Sequence, residues 1–262
     1  MNGADAPLLR IEKVSHWFGG LCAVSELSLS LKSGELHGLI GPNGAGKTTV
    51  FNLVSGVYRA TQGSIRLQGT ELVGKPAHEI SGLGIARTFQ NIRLFKDLSV
   101  LDNVRIAYYT QVRYRPLAAL FHAGRYRAEE RRIMNEAMEL LCAFNLEKLA
   151  DEPSKNLPYG QQRRLEIARA LAANPRLLLL DEPAAGMNPN EIGRLMEFIG
   201  SIREKFGLTI LLIEHQMRLV MGICERITVL DFGATIAEGR PDEIRSHPKV
   251  LEAYLGEEVP TE

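Results

Sequence analysis

The segment GPNGAGKTT, Gly41 to Thr49, restricts what this chain can fold into more than any other stretch of it. It fits the spacing GxxxxGK[ST] with Gly41, Gly46, Lys47 and Thr48, and the strand-like ELHGLI precedes it. A helical run from Lys47 follows. Glycines let successive backbone N–H groups turn toward one point, and the helix presents its positive end there. Such a strand–loop–helix unit cradles phosphate oxygens, with Lys47 as a point charge for the outer phosphates and Thr48 as a hydroxyl for Mg²⁺. The expectation is a nucleotide-binding α/β protein.

The run LLLLDEP supplies what that loop lacks. Four apolar residues predict a buried strand, which leaves Asp181 at its carboxyl end to hold a Mg²⁺ shell. Glu182, one residue on, is placed to orient or deprotonate an attacking water. His215 follows the strand LTILLIE, and Gln90 follows the strand-like IARTF. If these strands are neighbours, His215 can reach a γ-phosphate and Gln90 can touch water or Mg²⁺.

Strand-like runs at LLRIEKV, AVSELSLSL and GSIRLQG surround the loop. From about Val100 the pattern becomes helical, with one helix over VLDNVRIAYYT and another from Arg127 to Phe144, its apolar side at Ile133, Met134, Ala137, Leu140 and Leu141. The basic, aromatic link QVRYRPLAALFHAGRYR between them reads as a solvated loop. Strands then alternate with helices from Asn190 and Gln216, and EGRPDEIRSHPKVLEAYL closes as short helices. Alternation of this kind predicts a largely parallel sheet covered on both faces, interrupted by a helical insertion.

Lys plus Arg equals Asp plus Glu at 31 each, so no net charge argues for a nucleic acid or an acidic membrane. No apolar stretch approaches the length of a membrane span, and the opening MNGADAPLLR lacks the pattern of a signal peptide. Cys22, Cys142 and Cys224 form no CxxC pair and read as core thiols in a reducing cytoplasm.

A second anion-friendly helix start, NLPYGQQRRLEIARAL from Asn156, follows the first by more than a hundred residues. Together these segments resemble the nucleotide-binding subunits of ATP-binding-cassette (ABC) proteins, in family order and over nearly the whole chain. GPNGAGKTT looks like their Walker A, Gln90 their glutamine loop, LPYGQQ their signature, LLLLDE their Walker B and His215 their switch histidine. The resemblance implies a P-loop NTPase (RecA-like) core with a mostly parallel sheet, an antiparallel β part and an inserted helical subdomain. It implies a core over 1–89 and 161–235, a helical subdomain over 90–160, and terminal helices over 236–262. ATP and Mg²⁺ are the implied cofactors. Phe18 would stack on adenine, and Gly41, Pro42, Asn43, Gly44, Ala45, Gly46, Lys47, Thr48 and Thr49 would hold the phosphates. Thr48, Gln90 and Asp181 would hold the metal, while Glu182, His215 and Gln90 serve catalysis.

In this family two subunits, identical or homologous, pack head to tail, so that each signature caps the partner's ATP. Here Tyr159, Gly160 and Gln161 would form that cap, which accounts for the second anion site. The stretches NLPYGQQRRLEIARAL, LDEPAAGMNP, LLIEHQMRLVMGI and HPKVLEAYLGEE, with the long link from Thr110 to Arg127, are similar to the larger ATPase subunit of branched-chain amino-acid importers. The implied partners are permease subunits at the cytoplasmic face of the membrane and, indirectly, a periplasmic binding protein. The implied permease groove runs from Gln90 through NIRLFKDLSVLDNV, with Phe95, Leu98 and Val100 as apolar contacts and Arg93 and Lys96 at the rim. For Val100 and Leu101, packing inside the helical lobe is an equal alternative. Alternatives for the whole chain are the ATPase of another ABC system, such as lipopolysaccharide export or other amino-acid uptake, and a soluble ABC ATPase acting on DNA or ribosomes. Pro158 stands where the signature serine is usual, expected in the first helical turn, and Asn188 where an aspartate is usual.

Overall fold

A computed structural model describes residues 6–109 and 124–255. Strands β1 (Leu9–Phe18) and β2 (Leu21–Leu31) pair antiparallel across the turn at Gly19 and Gly20. They run further than the apolar pattern predicts, and so carry Phe18 to the very end of its strand. Strand β3 (Leu36–Ile40) leads into helix α1 (Lys47–Val54). Next come β4 (Gln62–Leu67), β5 (Thr70–Glu71), α2 (Ala77–Gly82) and β6 (Ile85–Arg87). Three helices follow, α3 (Val100–Tyr108), α4 (Gly124–Ala143) and α5 (Tyr159–Leu171). The chain then runs β7 (Leu177–Asp181), α6 (Pro189–Phe206), β8 (Thr209–Ile213), α7 (Met217–Ile223) and β9 (Arg226–Asp231). It finishes with β10 (Ala234–Gly239), α8 (Pro241–Arg245) and α9 (Pro248–Leu255).

Two sheets result. One is antiparallel in the order β2-β1-β4-β5; the other has the order β10-β9-β3-β8-β7-β6 and is parallel except at β10. β3, β7 and β8 are buried along their whole length, which is why their sequences are mostly apolar without alternation. Leu9, Ile11, Leu27 and Ile65 of the antiparallel sheet share one apolar cluster with Phe51 of α1 and with Leu177, Leu179, Leu211 and Ile213 of the parallel sheet. β10 is a correction to the expected helical ending. Its run ATIAEG has little apolar alternation, and it pairs with β9 because a two-residue turn at Phe232 and Gly233 folds it back.

The chain divides into two compact units, Met1–Gln90 with Arg176–Glu262, and Asn91–Pro175. The second therefore extends past residue 160 to take in the whole of α5. Ile133, Ala137, Leu140 and Leu141 of α4 are buried in it, while Met134 is substantially exposed and falls off that stripe. Val100 and Leu101 are buried too, with Ser99 capping α3 through the Asp102 N–H at 3.0 Å. Val100 thus packs the helical unit's own core and is not an exposed contact; Phe95 and Leu98 remain exposed. Inside α5, Arg163 is fully buried and pairs with Glu166 at 2.7 Å.

Cys224 is buried and Cys22 half-buried, but Cys142 is exposed, so it is not a core thiol. Most of the basic link after Thr110 lies outside the described residues. Among the described residues no helix is long and apolar enough to cross a membrane.

Candidate active site

Parallel strands bring their carboxyl ends to one edge, and in open α/β sheets that edge is where ligands bind. Here β3 delivers the glycine loop, β7 delivers Asp181 and Glu182, β8 delivers Glu214 and His215, and β6 leads toward Gln90. The register sets Asp181 beside Ile213 on adjacent strands, so Glu182 and Glu214 emerge together.

The loop needs its glycines for geometric reasons. Gly41 and Gly46 have φ of 147° and 99°, and a β-carbon on either would collide with a backbone carbonyl, that of Leu230 or of Ala23. The Lys47 ammonium folds back on its own loop, donating to the carbonyls of Gly41 and Pro42 at 2.7 Å each. A cavity of about 580 Å³ is lined by residues 43–49 together with Phe18 and Glu182. A larger cleft, about 770 Å³, opens at the opposite ends of the strands beside Lys32, Arg203 and Arg226. Arg203 and Arg226 there are already engaged by Glu225, Glu35 and Glu238, and the cleft is a charged surface.

Glu182 sits with φ of 45°, a left-handed conformation uncommon for a non-glycine residue. Outliers of this kind cluster where geometry serves function. The Gln90 amide donates to its Oε2 at 2.6 Å, and His215 Nδ1 lies 3.8 Å from the same oxygen. The structure therefore brings Gln90, Glu182 and His215 together. Asp181 is turned elsewhere: its Oδ2 accepts from Arg87 at 2.7 Å, and Arg87 also donates to Asn52 Oδ1 at 2.6 Å.

Arg87 and Glu214 are two residues that the motif reading did not single out. Arg87 stands as a lone cation ending an apolar edge strand, which was its only signal. Glu214 is fully buried, and its carboxylate accepts from the N–H of Ala184 at 2.7 Å, His215 at 3.0 Å and Gln216 at 3.1 Å. Burial pushes this carboxyl above its ordinary value, with the N–H donors opposing. One buried group thus ties the segment after Glu182 to the backbone of His215.

Phe18 lies at the cavity mouth, 43% exposed. His16 meets it edge-on at 4.6 Å between centroids and stacks on Tyr58 at 5.6 Å, so the ring is backed by aromatics and open on one side.

In the second unit Pro158 is the N-cap of α5, one position before the expected first turn, with φ of −55°. Its carbonyl accepts from the N–H groups of Gln161 and Gln162. Tyr159 and Gly160 thereby supply the first-turn N–H groups that no intrahelical carbonyl can reach. Gly160 has open space around it. Asn188 caps α6, accepting from the N–H groups of Asn190 and Glu191 while Glu191 accepts in return from its N–H. Asparagine caps a helix as well as aspartate does, so this cap does not need an aspartate.

Residues 24–185 match the family model described as ABC transporter, and residues 234–260 match that of the branched-chain amino acid ATP-binding cassette transporter. Over 251 residues the chain is 46% identical to the high-affinity branched-chain amino acid transport ATP-binding protein BraF of Pseudomonas aeruginosa, covering 96% of this chain and 98% of that one. With the same coverage it is 44% identical to LivG of Escherichia coli, which carries the same description. Among solved structures, the ADP conformation of MJ1267, an ATP-binding cassette of an ABC transporter, superposes with a TM-score of 0.83 at 32% identity, covering 96% of this chain and 99% of that one.

Proposed function

Because the chain belongs to the ABC transporter family of ATP-binding proteins, we propose that it binds and hydrolyses ATP to drive import of branched-chain amino acids. The observation that carries the chemical half is the meeting of Gln90, Glu182 and His215 at the edge where the glycine loop opens.

Backbone N–H groups of residues 43–49 hold the phosphate chain, and Lys47 exchanges the carbonyls of Gly41 and Pro42 for phosphate oxygens. Phe18 receives the adenine on its open face. Glu182 takes the proton from a water aligned on the γ-phosphate. Gln90 holds that carboxylate in place, and His215 adds a polar contact to the γ-phosphate. The hydroxyl of Thr48, the Asp181 carboxylate and the Gln90 carbonyl form an oxygen donor set of the kind Mg²⁺ prefers. Arg87 orients Asp181 by engaging one of its two oxygens, in the manner of an outer-shell partner. The ion would neutralise charge on the outer phosphates.

Tyr159, Gly160 and Gln161 would cap the ATP of a second subunit, identical or homologous, in a head-to-tail pair. The helical unit would also receive the permease through the exposed Phe95 and Leu98, with Arg93 and Lys96 at the rim. On this reading the chain works peripherally at the cytoplasmic face of the membrane, and a periplasmic binding protein enters only through the permease.

The test is reconstitution with the permease and binding protein in liposomes. ATP-dependent uptake of leucine or isoleucine is expected, and the Glu182→Gln variant should abolish it. Uptake of neither amino acid by an assembled complex that hydrolyses ATP would refute the substrate assignment and leave the ATPase assignment standing.

A further inference from the structure

The turn that folds β10 back onto β9 contains only Phe232 and Gly233, since Asp231 pairs directly with Ala234. Both turn residues have positive φ, 45° and 81°. A two-residue hairpin turn with this geometry strongly favours Asn-Gly or Asp-Gly, because few side chains tolerate the left-handed region. An aromatic residue there is strained. Phe232 is also 88% exposed, so it recovers almost nothing from packing. Folding alone would select against this residue on both counts.

The turn is held firmly. The Gly233 N–H donates to the Ala45 carbonyl of the glycine loop at 3.1 Å, and the Gly233 carbonyl accepts from Ser25 at 2.8 Å. A β-carbon on Gly233 would press on the carbonyl of Ala23 at 2.8 Å. The phosphate loop and the base-side strand β2 therefore fix where Phe232 stands. It lines the same cavity as Gly44, Lys47 and Phe18.

We propose that Phe232 is a second apolar wall of the nucleotide subsite, closing on the base and ribose from the side opposite the phosphate chain's backbone cradle, and that nucleotide contact compensates its strain and exposure. The proposal rests on reading this cavity as the ATP site. It predicts an effect on nucleosides and none on bare phosphate chains, since the loop's N–H groups are untouched.

The experiment is calorimetric titration of the full chain, Phe232→Ala and Phe232→Asn with Mg-ADP and with pyrophosphate, alongside thermal denaturation. Both variants should bind ADP about 3- to 10-fold more weakly, the scale of one aromatic contact, with pyrophosphate unchanged. Phe232→Asn should melt about 2–4 °C higher because the turn's preference is restored. Unchanged ADP affinity in both variants overturns the proposal, including the case where ATP-dependent self-association is lost instead, which would make Phe232 a subunit contact. Equal loss of ADP and pyrophosphate also overturns it, by showing an effect through the loop. A parental chain that binds neither ligand would remove the ATP-site reading itself, a result distinct from all of these.

Discussion

The amide of Gln90 donates to the carboxylate of Glu182 at 2.6 Å, so the last residue of the first compact unit holds the group proposed as the base. From Asn91 onward the chain belongs to the helical unit. The boundary between the two units thus follows directly on a residue bonded to Glu182.

Replacing Glu182 by Gln retains shape and removes the proposed base. ATP binding should persist while turnover falls by ~10²- to 10⁴-fold, measured as phosphate release. The variant should also accumulate ATP-dependent dimers on size-exclusion chromatography. Lys47→Ala should instead weaken ATP binding itself. Parental turnover in Glu182→Gln would move the base elsewhere.

Gln90→Glu makes a sharper test of the contact. It would set two carboxylates at hydrogen-bond distance, and like charges that close force one to stay protonated longer. The acid limb of the rate profile should shift to higher pH, whereas Gln90→Ala should lower the rate without that shift. An unshifted profile in Gln90→Glu would mean that the two side chains separate in the working enzyme.

Glu214 should act on turnover and leave ATP affinity alone, because it holds the loops carrying Ala184 and His215 and not the phosphate loop. Glu214→Gln places an N–H₂ group among three N–H donors, a buried mismatch of about 1–3 kcal/mol. A carboxyl raised in the native state binds more protons there than in the unfolded chain over the interval above 4.5. Its contribution to stability is therefore full below that value and is lost as pH rises through the native one. The stability difference between the parental chain and Glu214→Gln should shrink as pH increases from 4.5, measured by urea denaturation at several pH values. A difference that grows with pH would contradict the assigned direction.

Much of this site was legible because its chemistry demands fixed spacing or unbroken burial. Gly41, Gly46 and Lys47 announce themselves by position, and LLLL and ILLI by an unbroken apolar run, as expected of strands covered on both faces. Other features depend on distant partners that no local pattern shows. Arg87 became visible only when β6 paired with β7 and brought it to Asp181. Glu214 looked like a strand ending until three N–H groups converged on it. β10 was missed because a turn, and not its own composition, makes it a strand. Val100 stayed open between docking contact and lobe core, because an apolar residue beside a loop looks the same whether its helix faces in or out; its burial decides for the core.

Arg87→Ala should be costly for the reason that kept it hidden. Both it and Asp181 have side chains under a tenth exposed, so removing the guanidinium leaves a buried carboxylate without its cation. Loss of a buried partner of this kind costs about 3–5 kcal/mol. Arg87→Lys keeps the charge but loses the fork that also reaches Asn52, and should fall between. Urea denaturation measures both, and a parental midpoint for Arg87→Ala would show that Asp181 finds another partner.

Phe95 offers the test of the proposed permease contact, in a chain none of whose described helices is long and apolar enough to cross a membrane. Its ring is 49% exposed, and the Arg169 guanidinium lies 5.6 Å from the ring centroid. The backbone beneath is fixed independently, because the buried Asn103 amide accepts from the Phe95 N–H at 2.9 Å and donates to the Phe95 carbonyl at 3.0 Å. Aspartate at this position would therefore keep the loop's shape and meet a neighbouring cation, so the fold should survive within about 1 kcal/mol, as exposed substitutions usually do. What it removes is the proposed anchor, an aromatic of the kind that dominates protein interfaces, replaced by a charge that a docking helix would have to desolvate. Phe95→Asp should bind ATP like the parental chain and fail to co-purify with the permease from membranes. Co-purification at the parental ratio would place the docking surface elsewhere on the helical unit.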